Sequence, residues 1–344
     1  MAPRDLVMAA LRHQETGRLP CNFMFSPPAE RALREHYGVE DLQEHLGIGL
    51  FLFGCAGKPL YASPDEFGPT ITDEWGVVWA TSYIDRGYPV RHPLTNPSLA
   101  GYDLPDPLDP KRWAPVEELD LTDRADFTVA VVGDLWERAH FVRGLDALLM
   151  DLHSAPEFVH ELLDRICEYC LATLERMARL RPDGVFVSDD YGFQDRLMMS
   201  PASWRTFVKP RLGRLLAAAQ KHGLRAMLHS CGNVSAIVPD LLDLGLDILH
   251  PIQPEAMDVL ALKREYGRDL TFCGGVSTQQ TLPFGTPEDV RREVVLKAET
   301  LGAGGGYILE PGITLQADVP LANLVALVET ARDYRKERGH HTNS

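Results

Sequence analysis

The chain has 344 residues, 45% of them hydrophobic and 24% charged, enough for a large buried core and an ordinary length for one α/β barrel. Its 34 Lys and Arg against 49 Asp and Glu leave a formal charge of −15, a surface that repels phosphate backbones and anionic lipid. Nucleic acid and membrane surfaces are therefore excluded as expected partners, and no apolar stretch approaches the roughly 20 residues that span a bilayer.

The opening Met1–Asp5 runs into an amphipathic Leu6–His13 and carries no signal-peptide pattern. Six cysteines are too few for a disulfide scaffold, so a reducing cytoplasm is the expected location. Leu19–Phe25 and Gly49–Phe53 are candidate strands. Residues 58–121 are rich in proline and scattered aromatics (Trp75, Trp79, Tyr83, Tyr88) and read as an ordered excursion of loops and short strands. From Phe127 onward apolar runs alternate with helical patterns. Strands are expected at Phe127–Val132, Gly184–Ser188, Leu224–Leu228, Asp247–His250, Leu270–Phe272 and Tyr307–Leu309. Helices are expected at Pro156–Leu180, Pro201–His222, Val234–Leu242, Asp258–Glu265, Pro287–Leu301 and Leu321–Arg338, with a frayed tail at Lys336–Ser344. This alternation predicts parallel βαβ units, favours a closed (β/α)8 TIM-like barrel over an open sheet, and makes residues 1–344 one elaborated domain.

In such a fold the strand ends open onto one face, where functional groups gather. His229 and Cys231 lie two residues apart where a strand gives way to Gly232, so both side chains can converge on one ion. Cys273 holds the equivalent place two βα units later, so the three are expected to form a zinc site with one open position, the alternative being a packed histidine beside a small buried thiol. Glu310, before Pro311-Gly312, is a fourth ligand, a general acid/base, or a capping or salt-bridged carboxylate. Asp189 and Asp190 end another strand, one expected to face the pocket and the other to cap; Tyr191 and Gln194 follow as substrate contacts. His250 is a proton donor or substrate contact, or a hydrogen-bonded structural histidine. Cys167 and Cys170 fall within a helical pattern and read as core, as do Cys21 and Cys55, although Cys55 could line the pocket. Gly302–Gly306 precedes a strand, so it is a helix-to-strand turn and not a phosphate cradle.

Ser188-Asp-Asp-Tyr-Gly, Ser200-Pro, Lys209-Pro-Arg, His229-Ser-Cys-Gly-Asn, Phe284-Gly-Thr-Pro-Glu-Asp-Val, Gly305-Gly-Tyr-Ile-Leu and Gln316-Ala-Asp-Val-Pro with Asn323 occur in this order. Together, from about Thr72 to the C-terminus, they resemble the uroporphyrinogen decarboxylase superfamily. The resemblance implies a (β/α)8 barrel, often a homodimer, and either porphyrinogen decarboxylation or zinc-dependent methyl transfer linked to corrinoid proteins. Two departures speak against decarboxylation. The stretch matching an arginine-rich substrate grip is Leu19-Pro-Cys-Asn-Phe-Met-Phe-Ser-Pro-Pro, and the strand that should precede a pyrrole-holding aspartate reads Leu-Phe-Leu-Phe-Gly-Cys. The methyltransferase branch resembles this chain in an H-x-C pair with a distant third cysteine. That cysteine usually lies around Gly312–Ile313, and here Cys273 takes its place from another strand.

The expected protein is thus a cytoplasmic, homodimeric zinc methyltransferase acting on a small thiol, methoxylated or methylated substrate with a corrinoid on a partner protein. The alternatives are a metal-free decarboxylase, in which Asp189 or Asp190 stabilises a protonated intermediate, and a non-catalytic corrinoid- or tetrapyrrole-binding protein.

Overall fold

The computed structural model describes residues 1–335. The expected end of the last helix at Arg338 and the tail Lys336–Ser344 lie outside the described residues. Ten strands follow in chain order: β1 Leu50–Phe53, β2 Thr70–Thr72, β3 Val78–Ala80, β4 Pro89–Arg91, β5 Phe127–Gly133, β6 Gly184–Ser188, β7 Arg225–His229, β8 Ile248–Ile252, β9 Thr271–Val276 and β10 Tyr307–Pro311. Helices separate the strands from β5 onward, so the class is α/β with parallel pairing, as the alternation required. Among the described residues no helix is long and apolar enough to cross a membrane. The chain divides into two compact units.

The first unit comprises Met1–Phe51, Ala125–Phe127 and the chain from Ile248 onward. Here β8, β9 and β10 run parallel, with Ile248 opposite Thr271 and Phe272 opposite Tyr307. All three strands are buried throughout, which is why they read as apolar runs and not as alternating patterns. The expected strand at Leu19–Phe25 forms only isolated parallel bridges, Cys21 with Leu309 and Phe25 with Leu315. The backbone of Asn22 still donates to Leu309 and that of Ser26 to Leu315, so the segment runs beside β10 as an irregular edge. Pro20 supplies no N–H to such a ladder. Gly302–Gly306 joins a helix ending at Thr300 to β10, with φ of +74°, +77° and +64° at Gly304, Gly305 and Gly306.

The second unit comprises Leu52–Arg124 and Thr128–Asp247. β5, β6 and β7 are parallel, Val129 opposite Gly184 and Gly184 opposite Arg225, so that Ser188 and His229 stand level at the ends of β6 and β7. The excursion contains the antiparallel sheet β2-β3-β4. Trp75 and Trp79 are buried there, whereas Tyr83 and Tyr88 are 60% and 66% exposed and do not seal any core. The long helix Pro156–Met177 buries Val159, Leu163, Ile166, Cys167, Cys170 and Leu174 at helical spacing, which places both thiols of the C-x-x-C in the core. The expected single helix Pro201–His222 is two, Pro201–Phe207 and Lys209–Lys221, because Pro210 has no N–H to continue the ladder.

Candidate functional site

β6 ends in Ser188-Asp189-Asp190 and β7 ends in His229-Ser230-Cys231, and the level register of the two strands brings these turns together. Two glycines set how closely. A Cβ on Gly192 would lie 2.6 Å from the Asn233 nitrogen and 2.7 Å from the Cys231 oxygen. One on Gly232, at φ +79°, would lie 2.5 Å from the Gly192 carbonyl carbon and oxygen. Only bare backbone permits this approach. Asn233 N–H then donates to the Phe193 carbonyl at 2.7 Å, and Tyr191 N–H to Ser230 Oγ at 2.8 Å.

The two aspartates part company. Asp189 is fully buried and accepts the backbone N–H groups of Trp136 (3.0 Å) and Glu137 (2.6 Å), at the start of the helix Trp136–Arg143. Burial pushes its carboxyl well above the usual carboxylate range, against the pull of those donors. Asp190 turns to the other loop. Its Oδ1 accepts the Cys231 N–H at 2.7 Å and stands 3.3 Å from His229 Nε2, which is 3.5 Å from Cys231 Sγ. Burial would raise the Asp190 carboxyl, but the hydrogen bond and charge of His229, the Cys231 N–H and the Arg86 guanidinium hold it well below its ordinary range. Burial would likewise lower the His229 imidazole, yet Cys231 and Asp190 together drive it well above.

The donor atoms of Asp190, His229 and Cys231 all lie within 4.8 Å of one another. Zinc bonds of about 2.3 Å to sulfur, 2.0 Å to imidazole and 2.1 Å to carboxylate give tetrahedral edges of about 3.5 Å for S···N and about 3.4 Å for O···N. The separations of 3.5 and 3.3 Å match those edges. The nitrogen carries at most one hydrogen for two acceptors, whereas an ion satisfies all three groups at once. The residues therefore fit zinc, and three protein donors leave one position open.

A cleft of about 260 Å³ is lined by Ser188, Asp134, Glu137, Arg86, Lys58 and Trp79, with Cys55 also on its wall. Glu137 Oε1 meets Arg86 at 2.7 Å. Burial raises the Glu137 carboxyl to about 7 against the Arg86 charge, with Asp190 and Asp134 adding to the rise. His140 is pushed down to about 4 by burial and then by Arg86. Arg86 and Glu137 were not legible as site residues; the available signal was Glu137's place three residues beyond Asp134, where β5 gives way to a helix.

Tyr191 is fully buried, edge-to-face with Trp204 at 5.7 Å. Gln194 is exposed on the loop after β6. In the other unit Cys273 stands with His250 and Glu310, the donor atoms again within 4.8 Å of one another. Cys273 Sγ donates to Glu310 Oε2 at 2.8 Å, His250 Nε2 lies 3.3 Å from the same oxygen, and Asn22 Nδ2 donates to Oε1 at 2.8 Å. The third donor that joins His229 and Cys231 within their own unit is Asp190.

Residues 128–334 match the family model described as uroporphyrinogen decarboxylase (URO-D), and the chain belongs to that family. It is 28% identical over 178 residues to the methylcobamide:CoM methyltransferase MtaA of Methanosarcina barkeri, covering 52% of this chain and 50% of that protein. The chain thus spans about half the length of the first such relatives. It is 24% identical to the methylated-thiol–coenzyme M methyltransferase of Methanosarcina mazei, over 86% of this chain and 73% of that one. It is 22% identical to the uroporphyrinogen decarboxylase of Thermus thermophilus, over 96% and 98%. A solved methyltransferase from Methanosarcina mazei shares the fold with a TM-score of 0.73 at 20% identity, covering 97% of this chain and 98% of that one. The relatives are methyltransferases and decarboxylases, so the family context is enzymatic.

Proposed function

We propose that this protein is a zinc-dependent methyltransferase built on an eight-stranded barrel. It passes a methyl group between a corrinoid on a partner protein and a small thiol or methylated substrate. The observation that carries the reading is the set of His229, Cys231 and Asp190, in which the distances from His229 Nε2 to the sulfur and to the carboxylate oxygen match two edges of a zinc tetrahedron. Cys273, the ligand expected from sequence, is replaced in this reading by Asp190. Bound there, zinc supplies a substrate thiol in its reactive thiolate form at neutral pH. The relatives named methylcobamide:CoM methyltransferase and methylated-thiol–coenzyme M methyltransferase support methyl transfer of this kind.

The chain's own residues do the rest. The Gly192–Gly232 contact fixes the two loops, and Asp189 anchors the helix that carries Glu137. Arg86 and Glu137 set the charge of the cleft beside Asp190, and Trp79 and Phe141 give it apolar walls that exclude water. Gln194, on the exposed loop, contacts the incoming substrate. The protein acts in the cytoplasm as a homodimer.

A second reading, decarboxylation without metal, draws on the near full-length match to a uroporphyrinogen decarboxylase. Against it, β1 is Leu-Phe-Leu-Phe and offers no carboxylate. Incubating the zinc-loaded protein with methylcobalamin and coenzyme M, as probes for carrier and thiol, distinguishes the two. Protein-dependent methylation of the thiol supports methyl transfer; decarboxylation of uroporphyrinogen by metal-free protein with no thiol methylation refutes it.

A further inference from the structure

The first unit contains a second donor set that the proposed chemistry does not use. His250, Cys273 and Glu310 come from the successive parallel strands β8, β9 and β10, and each is at most 1% exposed. Their Nε2, Sγ and carboxylate oxygen atoms lie within 4.8 Å of one another. We propose that His250, Cys273 and Glu310 form a second, buried zinc site, separate in its ligands from His229, Cys231 and Asp190.

Four observations carry it. The donor set is one nitrogen, one sulfur and one oxygen, which among common ions selects zinc. His250 Nε2 and Glu310 Oε2 are 3.3 Å apart, close to the tetrahedral O···N edge of about 3.4 Å. Asn22 Nδ2 donates to the other Glu310 oxygen at 2.8 Å, the outer hydrogen bond that orients ligating carboxylates. Thiolate and carboxylate bring two negative charges to a divalent ion, so the ion is neutralised within the core, as a buried charge requires. The Cys273–Glu310 separation of 2.8 Å is that of a thiol hydrogen bond. An ion replaces the thiol proton, which passes to water, and opens the pair toward the S···O edge of about 3.6 Å. The fourth position of the tetrahedron would take a single enclosed water, and with all three side chains out of reach of solvent the ion would brace three strands and not meet substrate.

The test is metal content of the full chain expressed with zinc and dialysed without chelator. Wild type should hold two equivalents. Cys273→Ser and Glu310→Gln should each hold one, and so should the double variant His229→Ala/Cys231→Ala. Cobalt-substituted double variant should keep a thiolate-to-cobalt charge-transfer band that disappears when Cys273→Ser is added, a readout independent of activity. Circular dichroism and the ion retained at His229 and Cys231 check that the Cys273 and Glu310 variants still fold. One equivalent in wild type that survives in Cys273→Ser, or a metal-free His229→Ala/Cys231→Ala protein, overturns the proposal and leaves the methyltransferase reading intact. One equivalent in wild type that the His229→Ala/Cys231→Ala variant keeps and Cys273→Ser loses overturns the metal of that reading and not this site.

Discussion

Replacing Gly232 by alanine tests whether the backbone contact between the two loops builds the site. At φ +79° an alanine pays about 1 kcal/mol for the left-handed conformation. Its Cβ would also fall 2.5 Å from the Gly192 carbon and oxygen and from the Phe193 oxygen, all backbone atoms that no rotamer change can clear. Overpacking of this kind costs about 1–3 kcal/mol, so the total is about 2–4 kcal/mol. Gly223 supplies the control: its φ is +72°, but nothing lies within 4 Å of a Cβ there. Gly223→Ala should therefore lose only about 1 kcal/mol, the conformational part. Urea unfolding of both variants isolates the close approach by difference, and zinc content reports whether Cys231 and Asp190 have moved apart. Equal stabilities within about 0.5 kcal/mol, with full zinc in Gly232→Ala, refute the reasoning.

Asp190→Asn should weaken zinc binding by at least about 10-fold and leave the melting temperature nearly unchanged, because the carboxylate is a donor and not a packing group; calorimetric zinc titration reads it. Asp189→Asn should do the reverse, lowering stability by about 1–3 kcal/mol through loss of its hold on the Trp136 and Glu137 N–H groups, while zinc stays bound. Arg143→Ala should cost about 3–5 kcal/mol, since Asp151, 5% exposed and 2.7 Å from Arg143 Nε, is left buried without its ion partner. Glu137 makes the pH prediction. Its carboxyl is raised to about 7 in the fold from 4.5, so the folded state holds the proton more tightly and stability is lost as pH rises between those values. Glu137→Gln should remove that slope, gaining on wild type from pH 5 to pH 8; parallel urea curves at both pH values for the two proteins contradict it.

The strands were legible because these sheets are buried on both faces and write themselves as apolar runs: Gly184–Ser188 is the same in sequence and structure, and Phe127–Gly133 differs by one residue. Leu19–Phe25 reads as a strand because its apolar residues signal burial, which an irregular edge beside β10 satisfies without a regular ladder. The break at Val208 was missed because helical period continues across it; only Pro210 marked it. At the site, the spacing of His229 and Cys231 at a strand end announced a shared direction, and the structure puts their donor atoms 3.5 Å apart. The roles of Asp189 and Asp190 could not be separated from sequence, because capping depends on the helix at Trp136, 53 residues away from Asp189. Cys273 has its own dependence on the fold. Equivalent places on two strands do not fix which donors meet, and its hydrogen bond to Glu310 depends on the register of β9 with β10.

The most direct test of the central claim is methyl transfer by the zinc-loaded protein and by its Cys231→Ala variant, measured with methylcobalamin as donor and coenzyme M as acceptor. The account predicts protein-dependent methylation of the thiol by wild type. It predicts at least a 100-fold loss in Cys231→Ala, whose fold should survive because a small side chain at a strand-end rim contributes little core packing. Undiminished transfer in a Cys231→Ala protein that binds no zinc at His229 and Asp190 would contradict it.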